Sequence, residues 1–112
     1  MRYLFLLWGD ESAERALTDD ERLDIVRAHG AFLRRVRENG REATGEPLGA
    51  SRDGVVVRRR DGSAVDGPFL ETKEQLGGFY LIECADRDEA VALAREIPTS
   101  PGLVVEVRTI PD

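Results

Sequence analysis

Asp66-Gly67-Pro68-Phe69-Leu70-Glu71-Thr72-Lys73-Glu74-Gln75-Leu76-Gly77-Gly78-Phe79-Tyr80 holds a turn, a polar cluster and the start of an aromatic strand. Gly67 permits unusual dihedrals, and Pro68 fixes its own φ while steering Gly67 away from helix. The turn separates two kinds of strand. Before it, Val55-Val56-Val57-Arg58 and Ala64-Val65-Asp66 flank Asp61-Gly62, a hairpin signal. After it, Gly78 to Cys84 reads as a strong apolar strand. The stretch therefore sets the number and order of strands in the second half of the chain.

Outward from that point, the pattern alternates strand and helix. Tyr3-Leu4-Phe5-Leu6-Leu7-Trp8 is apolar on both alternating faces, as in a central strand. Residues 9 to 17 read as a polar connection. Thr18-Asp19-Asp20-Glu21 is a capping box, and its acidic first turn suits the helix dipole. The helix it opens runs to about Asn39, where Gly40 is a natural stop. Its apolar stripe of Ile25, Phe32 and Val36 contains His29. Ala43 to Leu48 is a weak edge strand interrupted by glycine and proline. Asp86-Arg87-Asp88-Glu89 starts a second helix with Ala90, Leu93, Ala94 and Ile97 on one face, closed by Pro98. Leu103 to Ile110 is a final alternating strand.

The predicted order is β-α-β-β-(short β)-β-α-β. It implies an α+β fold: a ferredoxin-like βαββαβ protomer with an additional short hairpin and both helices on one sheet face. The other face needs a cover, and a second copy of the chain supplies one economically. The expectation is a homodimer with sheets packed face to face.

At 112 residues the chain is one domain, residues 1–112. Its net charge of -6 argues against a nucleic-acid surface, since Arg58-Arg59-Arg60 is the only basic run and Asp61 follows it. The single cysteine, Cys84, excludes a disulfide framework and a cysteine-based metal site. It sits in an apolar strand and reads as core. The apolar run from Tyr3 to Trp8 is too short for a signal peptide or a membrane span, so the expected location is cytoplasmic. One histidine and no paired cysteines leave no metal-ligand spacing, and no metal or cofactor is expected.

His29 is the only histidine and the default general base. A lone histidine on an apolar stripe is also often a satisfied core residue. Asp66 can orient His29, act as an acid, or accept from its own turn amides. Lys73 is the only lysine among sixteen basic residues, which raises the prospect that an ammonium is needed there. Glu71 shares a side with Lys73 if the segment is extended and with Gln75 if it is helical. Glu46, between Gly45 and Pro47, is a further carboxylate on the weak strand.

The segment from Asp66 to Tyr80 resembles the DGPF-type subgroup of the YCII-related family. Tyr3-Leu4 through Glu11, Ala28-His29-Gly30-Ala31-Phe32, Gly45-Glu46-Pro47-Leu48 and Val105-Glu106-Val107-Arg108 extend the likeness over nearly the whole chain. The resemblance implies a dimeric α+β barrel and a cleft with a histidine-aspartate pair, carried here by His29 and, less directly, Asp66. Glu46, Phe69, Glu71, Lys73 and Tyr80 are the accompanying candidates for substrate contact. The function expected is a cofactor-free enzyme on an unknown small molecule, of lyase, dehydrohalogenase or isomerase type. The alternative is a non-catalytic ligand-binding or regulatory module working with an extracytoplasmic-function sigma factor.

Overall fold

The computed structural model describes residues 1–112. The chain forms β1 (Arg2–Asp10), α1 (Glu11–Arg15), α2 (Asp19–Glu38), β2 (Ala43–Pro47), a 3-10 turn (Ser51–Asp53), β3 (Val55–Arg58), β4 (Ser63–Asp66), β5 (Glu74–Glu83), α3 (Arg87–Glu96) and β6 (Val104–Ile110). Four strands make one antiparallel sheet in the order β2-β5-β1-β6. The apolar runs over Tyr3–Trp8 and Phe79–Ile82 are those of its two central strands, as expected where both faces are occupied by side chains of some bulk. β3 and β4 form a separate two-stranded hairpin. The result is the ferredoxin-like α+β arrangement with an added hairpin.

Local chemistry sets the element ends. Thr18 Oγ1 accepts from the Glu21 amide while the Glu21 carboxylate accepts from the Thr18 amide, closing the capping box of α2. Gly40 follows α2 at φ 85°, a left-handed conformation that a side chain would resist. Asp86 caps α3 by accepting from the Glu89 amide.

The core lies between the helices and one sheet face. Tyr3 and Phe5 from β1, Tyr80 and Ile82 from β5, Phe32 and Val36 from α2, and Ala90, Leu93 and Ile97 around α3 are buried together with Cys84. Burying each of the larger side chains stabilises the fold by about 1.5–3 kcal/mol. The sheet's period of two sends Leu4, Leu6, Phe79 and Leu81 to the opposite face, where neither helix reaches.

Two expectations need correction. The connection after β1 contains α1, whose Asp10 cap accepts from the Ala13 amide; five residues are too few for apolar periodicity to reveal a helix. β5 begins at Glu74, four residues before Gly78, because its polar start pairs with the far end of β1, Glu74 opposite Asp10. The register slips between Leu7 and Trp8, which face Gly78 and Leu76, leaving Gly77 as the extra residue of a β-bulge.

Candidate functional site

Ile25, His29 and Leu33 fall at four-residue intervals along α2 and so share one face above the sheet. They form a wall of a cleft of about 550 Å³, within the usual range for small-molecule sites. The opposite side is the bulged end of the sheet, with Leu7, Gly45, Gly78 and Tyr80. Glycines let α2 and the sheet stand apart there without side chains filling the gap. The cleft is a direct consequence of sequence: small residues on the strands, and a stripe on α2 whose bulky members Phe32 and Val36 lie further along the helix.

The centre of the cleft is a two-residue contact. His29 Nδ1 and the Tyr80 hydroxyl lie 2.6 Å apart. The rings stack with centroids 5.9 Å apart and 17° between planes. Tyr80 is held from below by Phe32, edge-on at 5.2 Å. Gly45 makes room for it: a Cβ on Gly45 would sit 2.4 Å from Tyr80 Cδ1 and 2.7 Å from the Phe79 carbonyl oxygen. The hydroxyl thus reaches His29 because β2 carries no side chain at that point.

Burial lowers the His29 pKa below its ordinary value of 6.5, so the imidazole is neutral at pH 7 and has a lone pair to offer. Burial pushes Tyr80 up to about 12, so the phenol stays protonated and serves as a hydrogen-bonding partner. With Nδ1 committed to Tyr80, Nε2 is the nitrogen left for a ligand.

The other sequence candidates sort differently. Glu46 also lines the cleft, at its exposed rim. Asp66 does not meet His29; it is exposed on β4, opposite Val55, in the hairpin outside the main sheet. The partner of His29 is a tyrosine on β5. Phe69, a candidate for substrate contact, lies outside the cleft and is 65% exposed, with the Arg58 guanidinium 6.0 Å from its ring centroid. The turn before it is held by backbone contacts. The Gly67 amide donates to the Gly54 carbonyl at 2.7 Å, and a Cβ on Gly67 would lie 2.9 Å from the Ser51 carbonyl oxygen. The Gly67–Gly54 bond thus extends the β3–β4 ladder one pair beyond Val55 and Asp66, and the turn lies against the 3-10 backbone.

The polar cluster after it also satisfies itself. Gln75 Nε2 donates to the Leu70 and Thr72 carbonyls, and Thr72 Oγ1 donates to the Glu74 carbonyl. Glu71 is exposed and outside the cleft. Lys73 is 73% exposed, with Nζ 3.9 Å from Asp10 Oδ2.

Two charged residues of the cleft escaped the sequence reading. Glu14, on α1, has a carboxyl whose pKa is raised first by burial and then by Glu11 and Asp10. Arg22, on α2, donates from Nη2 to the carbonyls of Arg15 at 2.9 Å and Glu14 at 3.3 Å. Both depend on α1, which was read as a connection. The available signal was Asp10 as a helix cap three residues before Ala13.

The sequence profile of the YCII-related domain matches residues 1–111. An uncharacterized protein of Rhizobium meliloti (strain 1021) is 38% identical over 99 residues, spanning 87% of this chain and 80% of that protein.

Proposed function

We propose that this chain, which belongs to the YCII-related domain family, is a cofactor-free enzyme that moves a proton on a small organic molecule, with His29 as general base. One observation carries the reading: a neutral imidazole lines an open cleft and has one nitrogen fixed by a tyrosine hydroxyl at 2.6 Å. A general base needs a lone pair near neutrality, a fixed ring and room for a substrate. His29 has all three. Isomerase, lyase and dehydrohalogenase reactions can each begin with such a proton abstraction. Tyr80 orients the ring, and Glu46 stands where it can contact a ligand at the rim.

The expected assembly is a homodimer through the open sheet face, and the DGPF-type subgroup is the expected branch of the family. The radius of gyration is 15.5 Å, against about 13 Å for a compact chain of roughly this length. The molecule is 43 × 40 × 17 Å, a slab with one side of its sheet uncovered.

The test is solvent deuterium exchange at acidic C–H positions in a panel of small carbonyl compounds, followed by NMR. The wild-type chain accelerates exchange of at least one member, and His29→Ala abolishes that acceleration while binding persists. Exchange unchanged in His29→Ala defeats the reading. Binding without exchange by the wild-type chain replaces it with a ligand-binding or regulatory module.

A further inference from the structure

We infer that Glu14 is the proton-donating counterpart of His29 in the cleft, and that the pair acts on a small, uncharged carbonyl compound with a largely apolar body. This rests on the reading of His29 as the general base. The geometry begins at Gly9. A Cβ on Gly9 would lie 2.5 Å from Glu14 Oε1, so the end of β1 is bare where that carboxyl lies across it. The neighbouring acid is used differently. Both oxygens of Glu11 accept from Ser51, one from the amide at 2.9 Å and one from the hydroxyl at 2.8 Å. Glu14 has no hydrogen-bond donor and no cation within salt-bridge distance in the protein, and it lines the same cleft as His29.

The charges in the cleft select the substrate. Its only permanent cation is Arg22, whose guanidinium is bound to the carbonyls of Glu14 and Arg15, with Asp19 Oδ1 3.5 Å from it. Lys73 lies outside, beside Asp10. An anionic substrate would meet Glu46 at the rim and no free positive charge inside to receive it. The walls that remain are apolar, among them Leu7, Leu17, Ile25, Leu33 and Leu103. A neutral ketone fits both features. An oxyanion forming on it has no cation to lean on, so it must be quenched by a proton, which Glu14 can supply.

The step balances without a cofactor. In the tautomer with its proton on Nδ1, His29 donates Nδ1–H to the Tyr80 oxygen, and the Nε2 lone pair removes a proton from the carbon beside the carbonyl. The C–H electron pair becomes the C=C bond of an enol, and the carbonyl π pair takes the Glu14 proton. Imidazolium and carboxylate result. The imidazolium exchanges its proton with solvent; delivery of a solvent deuteron to the same carbon gives exchange, delivery to a conjugated carbon gives isomerisation, and in each case the enol O–H returns its proton to the Glu14 carboxylate.

The groups around the pair set its pH range. Glu14 faces Asp10 from the end of β1, Glu11 from its own helix and Arg22 from α2; His29 faces Tyr80 from β5. Burial raises Glu14 above 4.5 and lowers His29 below 6.5, and both shifts move the pair toward the state with Glu14 protonated and His29 neutral. The rate of exchange is then bell-shaped, with its maximum in mild acid.

The experiment compares cyclohexanone with 4-oxocyclohexanecarboxylate in deuterated buffer from pH 4 to 8, reading loss of the α-proton signal by NMR. The wild-type chain exchanges cyclohexanone about tenfold or more faster than the carboxylate. Glu14→Gln slows exchange of cyclohexanone by about 100-fold, at the low end for loss of a general acid, and abolishes the alkaline limb of the profile. Glu14→Asp, which keeps the acid, retains that limb and serves if the glutamine variant does not fold. A wild-type rate and an intact alkaline limb in Glu14→Gln overturn the role of Glu14. Equal or faster exchange of the carboxylate, or no exchange of either ketone, overturns the substrate class. Full exchange in His29→Ala overturns instead the general-base reading on which the pair rests.

Discussion

His29 and Tyr80 meet in the cleft, and each constrains the other. Burial lowers one pKa and raises the other, so around neutrality both are uncharged and their contact costs no charge desolvation. Two consequences can be measured. His29 titrates with a midpoint below 6.5 in NMR of the native chain, and the Tyr80 phenolate appears near 12 in ultraviolet titration. For His29 the folded state binds its proton more weakly than the unfolded state. Stability from this group is therefore present above about pH 6.5 and falls as the pH drops through that value. The tyrosine loses stability at the other end, as the pH rises above about 10, where the unfolded phenol ionises first. A His29 midpoint above 6.5 would mean that a carboxylate, not burial, dominates its surroundings. Tyr80→Phe is expected to cost about 1 kcal/mol in denaturant unfolding, the net value of one hydrogen bond. It leaves the His29 ring unanchored, so any exchange activity falls while the fold persists.

At the scale of elements, the cleft is shaped by glycines on the strands and on α2. Gly45 on β2 lies under the Tyr80 ring, and Gly45→Ala forces a methyl group against ring and backbone together. The expected loss is about 1–3 kcal/mol from overpacking, with the His29 resonance shifted because Tyr80 must move. Gly30 on α2 behaves oppositely. Its added Cβ would meet nothing nearer than Arg34 Nη1 at 3.7 Å, so Gly30→Ala gains helix propensity of up to about 1 kcal/mol. Yet Gly30 lines the cleft, and the same methyl group narrows it. Calorimetry and ligand titration on the two variants should move in opposite senses: lower stability for the first, higher stability but weaker binding for the second. Lower stability in both would show that Gly30 serves packing and not access.

The whole molecule is a half-covered sheet. Ten apolar side chains make the core on the helix side, while Leu4, Leu6, Phe79 and Leu81 lie on the other and are only half-buried. A face of this kind marks an interaction surface. A second copy is the cover that symmetry offers most simply. Sedimentation equilibrium at micromolar concentration is expected to give a dimer. Leu81→Glu, on the open face and away from the His29 cleft, should yield a folded monomer. A wild-type monomer at that concentration would remove this assembly. The exposed hairpin, with Val55, Val57 and Val65 turned outward, is too small to be stable alone, and the 3-10 turn that leads into it is tied to α1 by the two hydrogen bonds from Ser51 to Glu11.

The α+β order, the capped helices and the central strands were legible in the residues themselves, because capping boxes, periodicity of 3.6 or 2 and a glycine-proline turn act over a few neighbours. So was the place of His29 on the apolar stripe of α2, since residue type and helical spacing are local facts. Its neighbours in the cleft were not legible. Tyr80 is 51 positions from His29, and only the pairing of β2 with β5, together with a bare Gly45, brings its hydroxyl under the ring. Asp66 was near His29 by plausibility alone, and the turn that carries it is claimed by the 3-10 backbone. Glu14 and Arg22 enter the cleft because a five-residue helix folds back over the end of β1, a step too short to leave a periodic signature. Sequence determines which segments become strand or helix; the distance between two side chains far apart in the chain is decided only when the sheet closes and the helices settle on it.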